Sequence, residues 1–308
     1  MIHCIYHNKD LDGFASGAIV NYFYDNKVRA HGYDYEGVIP YNFSYKAFTE
    51  DTLYIVDCSF SKELTKLLCD NFAKVIWIDH HKSAIEELKD FTHPNFWNKS
   101  KVGVAACELV WDYFFPNVAT PEPITLLGIY DSWRKENKLF WDNDVLPFQF
   151  GMRVICNSVE TFPEWVFIPD ISSFNKRSFI ANVKEQGRAI LKYQENSNLF
   201  TCKSAFEDIL CVTEDESYRV IMLNSVIGNS DMFKSVYNSS HDMMCRFSFD
   251  GKEWSFSLYS DKPNIDCGAI AKKLGGGGHK GAAGFKLTQN MASQTFCSFN
   301  IIHLINTK

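Results

Sequence analysis

The sequence has no Cys-x-x-Cys pair, although it contains ten cysteines in 308 residues. Paired cysteines at that spacing are typical of zinc ribbons and of thiol redox motifs, so neither kind of site is expected. In an intracellular chain of this length, the cysteines are predicted to be reduced thiols in the core and on the surface.

Long apolar runs are also absent. No run approaches the roughly 20 apolar residues that a membrane helix needs. The first residues, MIHCIYHNKD, lack the basic and apolar segments of a secretory signal. We therefore expect a cytoplasmic protein without a membrane partner.

A basic excess is lacking as well, since the net charge is −6. Residues 1–165 carry 15 Lys and Arg against 23 Asp and Glu, whereas residues 200–308 carry 11 of each class. Proteins that hold long nucleic acids rely on Lys and Arg contacts to phosphates, so the acidic first half argues against a long duplex as ligand. Carboxylates around bound cations would produce this excess, and so would a solvated acidic face.

The length and the order of apolar patterns predict two α/β domains. A chain above about 250 residues more often forms two domains than one. Short β-rich runs alternate with amphipathic helical runs in the first half, which predicts a mostly parallel sheet flanked by helices. Residues 175–198 have helical spacing and are predicted to join the two domains. We expect domains at 1–170 and 200–308, with a linker helix over 171–199 and a smaller α/β second domain.

Acidic and histidine-containing loops follow three of the predicted strands. They are HNKDLD from His7 to Asp12, Asp57 after LYIV, and Asp79-His80-His81 after KVIWI. Ligands of an open parallel sheet bind beyond the carboxyl ends of its strands, so these loops should converge on one crevice. An EF-hand is rejected, because Ile19 stands where a bidentate Glu is needed.

The converging carboxylates predict a metal centre. Like charges this close would repel one another unless cations lay between them. Mixed Asp and His ligands suit Mn, Fe, Co or Zn better than calcium. The number of ligands is enough for two ions, which together can activate water and polarise a phosphoryl group. Phosphoester hydrolysis is the reaction that this pattern indicates.

A glycine-rich segment, GGGGHKGAAGF, begins at Gly275. It contains the spacing of a dinucleotide fingerprint, but a helix is predicted before it and a strand after it, the reverse of that motif. A flexible turn that ends the helix explains the glycines equally well. Glycines also let backbone N–H groups approach a phosphate closely, and His279 adds a side-chain donor.

Together these motifs resemble the DHH phosphoesterases with an attached DHHA1 domain. The resemblance rests on HNKDLDGFAS, VDCSF, IDHH, the Asp of GIYDSW and GGGGHKGAAGF, and it spans almost the whole chain. That superfamily includes nanoRNA and oligoribonuclease enzymes, RecJ single-strand exonucleases and cyclic-dinucleotide phosphodiesterases. The resemblance implies a catalytic DHH domain at 1–170 and a substrate-binding DHHA1 domain at 200–308.

The resemblance also implies a role for each motif residue. His7 and Asp10 would bind one manganese ion, Asp12, His80 and Asp131 would bind the other, and Asp57 would bridge the two. Asp79 would support the loop or the adjacent histidine, and His81 would face the substrate. Mg, Co or Fe are alternative ions, and Asp142 and Asp144 are substitutes for Asp131. The implied substrate-binding residues are Gly275, Gly276, Gly277, Gly278, His279 and Tyr259, the last standing where many DHHA1 domains carry Arg.

The expected function is hydrolysis of short single-stranded oligonucleotides or dinucleotides by two metal ions. Within the same class, a cyclic-dinucleotide or nucleoside-phosphate phosphatase and a RecJ-like exonuclease stay open as alternatives. A manganese-dependent pyrophosphatase is disfavoured by the glycine-rich domain. A nucleotide-binding regulatory module is the non-enzymatic alternative, and a homodimer is left open.

Overall fold

A computed structural model describes residues 1–35, 39, 43, 48–167 and 173–297 of the chain. The chain forms two compact units, which divide between Leu191 and Lys192. This division lies inside the segment that was predicted to join the domains. The α/β class predicted for both units is confirmed.

The first unit is built on a five-stranded sheet in which every neighbouring pair is parallel. The strand order is β2-β1-β3-β4-β5, so the chain starts in the interior of the sheet and extends it in both directions. The strands are β1 Ile2–His7, β2 Val28–Tyr33, β3 Phe48–Val56, β4 Phe72–Asp79 and β5 Phe96–Ser100.

Helices cover both faces of this sheet. Their N-termini carry polar caps where the sequence provides them, as at Asp10, whose side chain accepts a hydrogen bond from the Gly13 amide. The helices are α1 Leu11–Phe23, α2 Lys62–Asn71, α3 Lys82–Leu88, α4 Ala106–Phe114, α5 Glu122–Asp131 and α6 Leu146–Ile155. A short α-helical turn, Lys138–Phe140, and a π-helical turn, Trp141–Val145, lead into α6.

The core of the first unit lies on both sides of the sheet. Tyr54 and Val56 pack into one hydrophobic cluster, whereas Leu53 and Ile55 pack into a second cluster on the other face. Alternate residues of a strand point to opposite faces, so a strand that is covered on both sides reads as an unbroken apolar run. This explains the LYIV segment and fixes the strand end at which Asp57 follows.

The second unit contains a mixed six-stranded sheet of order β10-β11-β9-β8-β7-β6. The long helix α7, Ser173–Thr201, leads into it, and the segment FDGKEW joins two antiparallel strands. The strands are β6 Phe206–Thr213, β7 Glu216–Asn224, β8 Met243–Phe249, β9 Trp254–Tyr259, β10 Gly277–His279 and β11 Ala282–Leu287. The helices are α8 Cys267–Lys273 and α9 Gln289–Thr295.

Two expectations about the whole chain can be compared with the structure. All ten cysteines fall within the described ranges, and each is a free thiol. Among the helices of the described residues, none is both long enough and apolar enough to cross a membrane.

Candidate metal centre

The loop after β1 places three side chains at the carboxyl end of the sheet. His7 is the last residue of β1, Asp10 caps helix α1, and Asp12 lies in the first turn of that helix. A Cβ atom on Gly13 would lie 1.9 Å from the His7 carbonyl oxygen, so only glycine lets the helix start this close to the strand. The loop is therefore tight, and it keeps the side chains of His7, Asp10 and Asp12 close to one another.

Asp57 follows β3 in an unusual backbone conformation. Its φ is +57°, in the left-handed region that most residues avoid, and its side chain is only 1% exposed. Strain of this kind is found most often at functional sites, where the surrounding structure holds it in place. The conformation directs a buried carboxylate towards the loops that follow β1 and β4.

Asp79, the last residue of β4, organises the loop behind the two histidines. Its Oδ1 accepts hydrogen bonds from the His80 and His81 amides at 2.7 and 3.3 Å, and it lies 2.7 Å from Nδ1 of His81. The carboxylate is fully buried, so these contacts fix both the backbone and the ring of His81. The expectation that Asp79 supports the loop and the adjacent histidine agrees with this geometry.

The structure brings all six predicted ligands together in two groups. Nδ1 of His7 lies 3.2 Å from Asp10 and 3.5 Å from Asp57 Oδ2. Nε2 of His80 lies 3.6 Å from Asp12, 3.2 Å from Asp131 and 3.4 Å from Asp57 Oδ1.

Asp57 therefore presents one oxygen to each group. Within the groups His7, Asp10, Asp57 and Asp12, His80, Asp131, the candidate donor atoms lie within 4.8 Å of one another. A carboxylate that faces both groups occupies the position of a bridging ligand.

The charges of the centre are only partly balanced by the protein itself. Burial and the nearby Asp57 and Asp131 raise the pKa of Asp12 well above its usual range. Burial and Asp57 raise the pKa of Asp131 to about 6. The adjacent carboxylates of Asp10 and Asp57 raise the pKa of His7 to about 10.

Two buried atoms in the centre have no hydrogen-bond partner among the described residues, Nδ1 of His7 and Oδ1 of Asp57. Unpaired buried polar atoms are costly and call for an explanation such as a bound ion. A divalent cation would use both atoms as ligands and offset the carboxylate repulsion. The donor set of imidazoles and carboxylates thus fits the metals that were predicted.

The two substitute carboxylates lie elsewhere. Asp142 accepts a hydrogen bond from Lys138, and Asp144 lies 2.8 Å from Nζ of Lys184. Neither belongs to the groups of possible metal ligands found among the described residues. Asp131, rather than Asp142 or Asp144, therefore stays the predicted ligand.

Sequence reasoning missed several groups that shape the centre. The backbone amides of Ala106 and Cys107, at the start of α4, donate to Asp12 at 2.9 and 2.8 Å. A helix N-terminus stabilises a nearby anion, so α4 helps to hold this buried carboxylate. A backbone donor leaves no motif in the sequence, and only the fold shows it.

The glycine-rich segment lies in the second unit. Its glycines have a structural reason of their own, because Gly275 and Gly278 have φ of +82° and +142°. A Cβ atom on Gly276 would lie 2.0 Å from the Gly284 carbonyl oxygen. His279 is exposed at the end of edge strand β10. The phosphate-binding role of this segment stays a prediction.

Tyr259 lies at the end of β9, beside a cavity of about 340 Å³. The cavity is also lined by residues that the sequence did not single out, among them Lys234, Tyr237 and Asp261. The lining therefore combines two tyrosines with one charge of each sign, and the substrate role of Tyr259 stays a prediction.

Residues 2–128 match the model of the family described as "DHH family, N-terminal domain". The uncharacterized protein R106 of Acanthamoeba polyphaga mimivirus is 25% identical over 91% of this chain, which spans 66% of the length of that relative.

Two solved structures are similar at low sequence identity. The pGpG-specific phosphodiesterase PggH from Vibrio cholerae is 14% identical, with a TM-score of 0.49 over 100% of this chain and 99% of its own. An exopolyphosphatase-related protein from Bacteroides fragilis is 14% identical, with a TM-score of 0.46 over 93% of this chain and 86% of its own.

The family match ends before the second unit, so the DHHA1 assignment of residues 200–308 stays a prediction. Within the match lie all the predicted ligands except Asp131, which follows it by three residues. Residues 2–128 of this chain therefore form an N-terminal domain of the DHH family.

Proposed function

We propose that this chain hydrolyses phosphodiester bonds in short oligonucleotides with two divalent cations, manganese first among them. The observation that carries the proposal is the pair of donor groups, His7 with Asp10 and His80 with Asp12 and Asp131, on either side of Asp57. One oxygen of Asp57 lies 3.5 Å from the His7 imidazole and the other lies 3.4 Å from the His80 imidazole. When bound there, two ions supply an activated water and stabilise charge on the phosphoryl oxygens.

The residues of the chain hold the two ions and orient the substrate. His7 and Asp10 hold one ion, Asp12, His80 and Asp131 hold the other, and Asp57 joins the two groups.

His81 is the candidate for contact with substrate. Its Nδ1 is occupied by Asp79, which leaves Nε2 of a side chain that is 40% exposed to meet a phosphate oxygen or a leaving group. The hydrogen bond that Nδ1 of His81 donates to Asp79 raises the pKa of His81 to about 9, so the ring carries a proton that it can donate.

The substrate class follows from charge and from the second unit. An acidic catalytic domain attracts long polyanions weakly, which favours short single strands and dinucleotides over long duplexes. The glycine-rich segment and His279 would bind the terminal phosphate of such a substrate, and Tyr259 would contact a base. A homodimer is compatible with this proposal.

One substrate panel tests the proposal against its alternatives. The manganese-loaded protein is incubated with a linear dinucleotide, a long single strand, a cyclic dinucleotide and pyrophosphate, and Asp57→Asn is the matched inactive control. We expect the linear dinucleotide to be cleaved fastest. Preference for the long strand would indicate a RecJ-like exonuclease, and preference for the cyclic dinucleotide a cyclic-dinucleotide phosphodiesterase. Cleavage of pyrophosphate alone would indicate a pyrophosphatase, and nucleotide binding without hydrolysis a regulatory module.

A further inference from the structure

Helix α5 ends at Asp131, and the turn that follows it favours glycine at the position of Trp133. Trp133 has a φ of +56°, and its amide donates to the Tyr130 carbonyl at 3.2 Å. The next amide, of Arg134, donates to the Ile129 carbonyl at 3.0 Å. This is a Schellman turn, in which the left-handed position is usually glycine because a side chain there crowds the backbone. A tryptophan at this position is a strained choice.

The strain at Trp133 is not offset by burial. Its side chain is 61% exposed, which is more than most large apolar residues of the first unit. The turn itself is held by Arg134, which bonds the Ser132 hydroxyl at 2.7 Å and pairs with Glu108. These contacts fix the backbone and leave the indole at the surface. Strained backbone positions cluster at functional sites, which makes the exposed indole a candidate contact for a ligand.

The surroundings of the indole combine aromatic rings with a positive charge. Nζ of Lys135 lies 3.3 Å from the centre of the Trp133 ring and 4.6 Å from that of Trp141. The rings of Tyr130 and Trp141 meet Trp133 edge to face at 6.0 and 5.3 Å. Flat rings and an ammonium group are the elements that bind a nucleobase and its phosphate.

The position along the chain places this surface beside the metal centre. Asp131 Oδ2 lies 3.2 Å from His80 in the centre. Consecutive Cα atoms are about 3.8 Å apart, so the Cα atoms of Asp131 and Trp133 are separated by at most about 7.6 Å. A base attached to the sugar next to a phosphate at the centre therefore lies within reach of the indole.

We propose that Trp133 is the stacking platform for the nucleobase next to the scissile phosphate, with Lys135 holding the charge of the nucleotide. The inference rests on the proposed function and adds to it a residue that reads the base, within the catalytic domain itself. A base contact at Trp133 would make the acidic catalytic domain prefer nucleotides over phosphoesters that carry no base.

The test removes the indole with a variant that suits the turn. Trp133→Gly relieves the backbone strain, so thermal stability and metal content should be kept. Stacking on an aromatic side chain contributes enough that kcat/KM for a dinucleotide should fall roughly five- to a hundredfold. On a dinucleotide analogue with abasic sugars, wild type and variant should be equal. Trp133→Phe keeps a ring and should retain most of the activity.

Trp97 offers a matched control. It is also an exposed tryptophan with a lysine, Lys74, over its ring at 4.7 Å, but it lies within edge strand β5. Trp97→Gly should leave the preference for the dinucleotide over the abasic analogue unchanged. Equal losses in the two tryptophan variants would overturn the proposal, because the effect would then be general.

A binding measurement separates this inference from the proposed function. Titration calorimetry compares a mononucleotide with ribose 5-phosphate in the manganese-loaded protein. We expect the mononucleotide to bind more tightly to wild type, and Trp133→Gly to remove that advantage. If wild type cleaves no dinucleotide and yet shows this pattern, the proposed function fails and the stacking site stands. If Trp133→Gly keeps the full advantage while wild type cleaves dinucleotides, the stacking proposal is wrong.

Discussion

Asp57 combines burial, a left-handed backbone and an unpaired carboxylate oxygen. The neighbouring carboxylates of Asp12 and Asp131 make its charge costly in the metal-free protein. Two bound cations would both be coordinated by this carboxylate. The stability of the metal-free fold and the activity of the centre therefore make opposite demands on this residue, as is common at active sites.

The variant Asp57→Asn separates the contribution of this residue to activity from its effect on the stability of the metal-free fold. Asn tolerates the left-handed region and has the shape of Asp, so the fold should be retained. Removing the bridging charge should lower kcat by more than about 100-fold, the upper end of losses for outer-shell partners of a metal. In the metal-free variant the reduced like-charge repulsion is offset by the loss of the ion pair with His7, so the unfolding temperature should stay close to that of wild type. Near-normal turnover with saturating manganese would contradict the two-metal proposal.

His7 gives the centre a predictable response to pH. Its pKa is about 10 in the metal-free protein, against an ordinary value of 6.5. Its ion pairs therefore stabilise the metal-free fold fully below about pH 6.5, and this stability is lost as the pH rises through about 10. A metal ion binds the neutral imidazole, so it must displace this proton.

We therefore expect manganese binding at pH 8 to release protons. Titration calorimetry in two buffers with different ionisation enthalpies measures the release, because each proton is taken up by the buffer. His7→Gln should release fewer protons, since the imidazole whose pKa is raised to about 10 is gone. Identical apparent enthalpies for wild type in both buffers would show that the imidazole is already neutral.

Most of the centre could be predicted from the sequence at the residue scale. Loops after adjacent parallel strands must meet at one sheet edge, and this rule alone brings His7, Asp57 and His80 together. Asp131 is the last residue of a helix, where no such rule applies, and only the resemblance indicated it. The backbone donors to Asp12 and the strained turn at Trp133 depend on φ and on tertiary contacts, which residue patterns do not encode.

At the scale of elements, periodicity predicted the strands that are buried on both faces, but it did not place the amphipathic helix α6. It did not predict β5, whose sequence FWNKS is a short and partly polar edge strand. It also did not predict β10, which consists of two glycines and a histidine and pairs only with β11. Edge strands bury little side-chain surface, so they leave a weak pattern. The π-helical turn Trp141–Val145 gave no recognisable period.

The glycine-rich element is predicted to bind substrate rather than to take part in the reaction. His279→Ala should raise KM for a dinucleotide substantially, because lost ground-state binding weakens substrate and product alike. Hydrolysis of bis-p-nitrophenyl phosphate, which lacks a nucleotide, should stay near the wild-type rate. His81→Ala is the contrasting variant and should impair both substrates. Equal loss of both activities in His279→Ala, with metal content unchanged, would assign this element to the reaction centre.

At the scale of the whole molecule, charge is the property that distinguishes the two ends of the chain. Residues 1–165 have eight more acidic than basic side chains, whereas residues 200–308 are balanced. Nucleases that track along strands need rows of Lys and Arg, and their binding weakens steeply with salt. An acidic catalytic domain, with one lysine beside Trp133 and Trp141, is suited instead to a ligand with few phosphates.

The dependence of turnover on substrate length tests whether the protein prefers ligands with few phosphates. We expect turnover per strand end to be higher on oligonucleotides of about two to five residues than on ones of about twenty, because each added phosphate is repelled by the acidic domain and gains few contacts. For the same reason, the rate on short substrates should change little between about 50 and 200 mM salt. Rates are measured on end-labelled strands of increasing length, with the Asp57→Asn protein as the blank for contaminating nucleases. Faster and processive degradation of the long strands, with a steep salt dependence, would contradict this prediction. It would show that a basic path outside the acidic catalytic domain guides the strand. The protein would then be a RecJ-like exonuclease rather than an enzyme for short oligonucleotides.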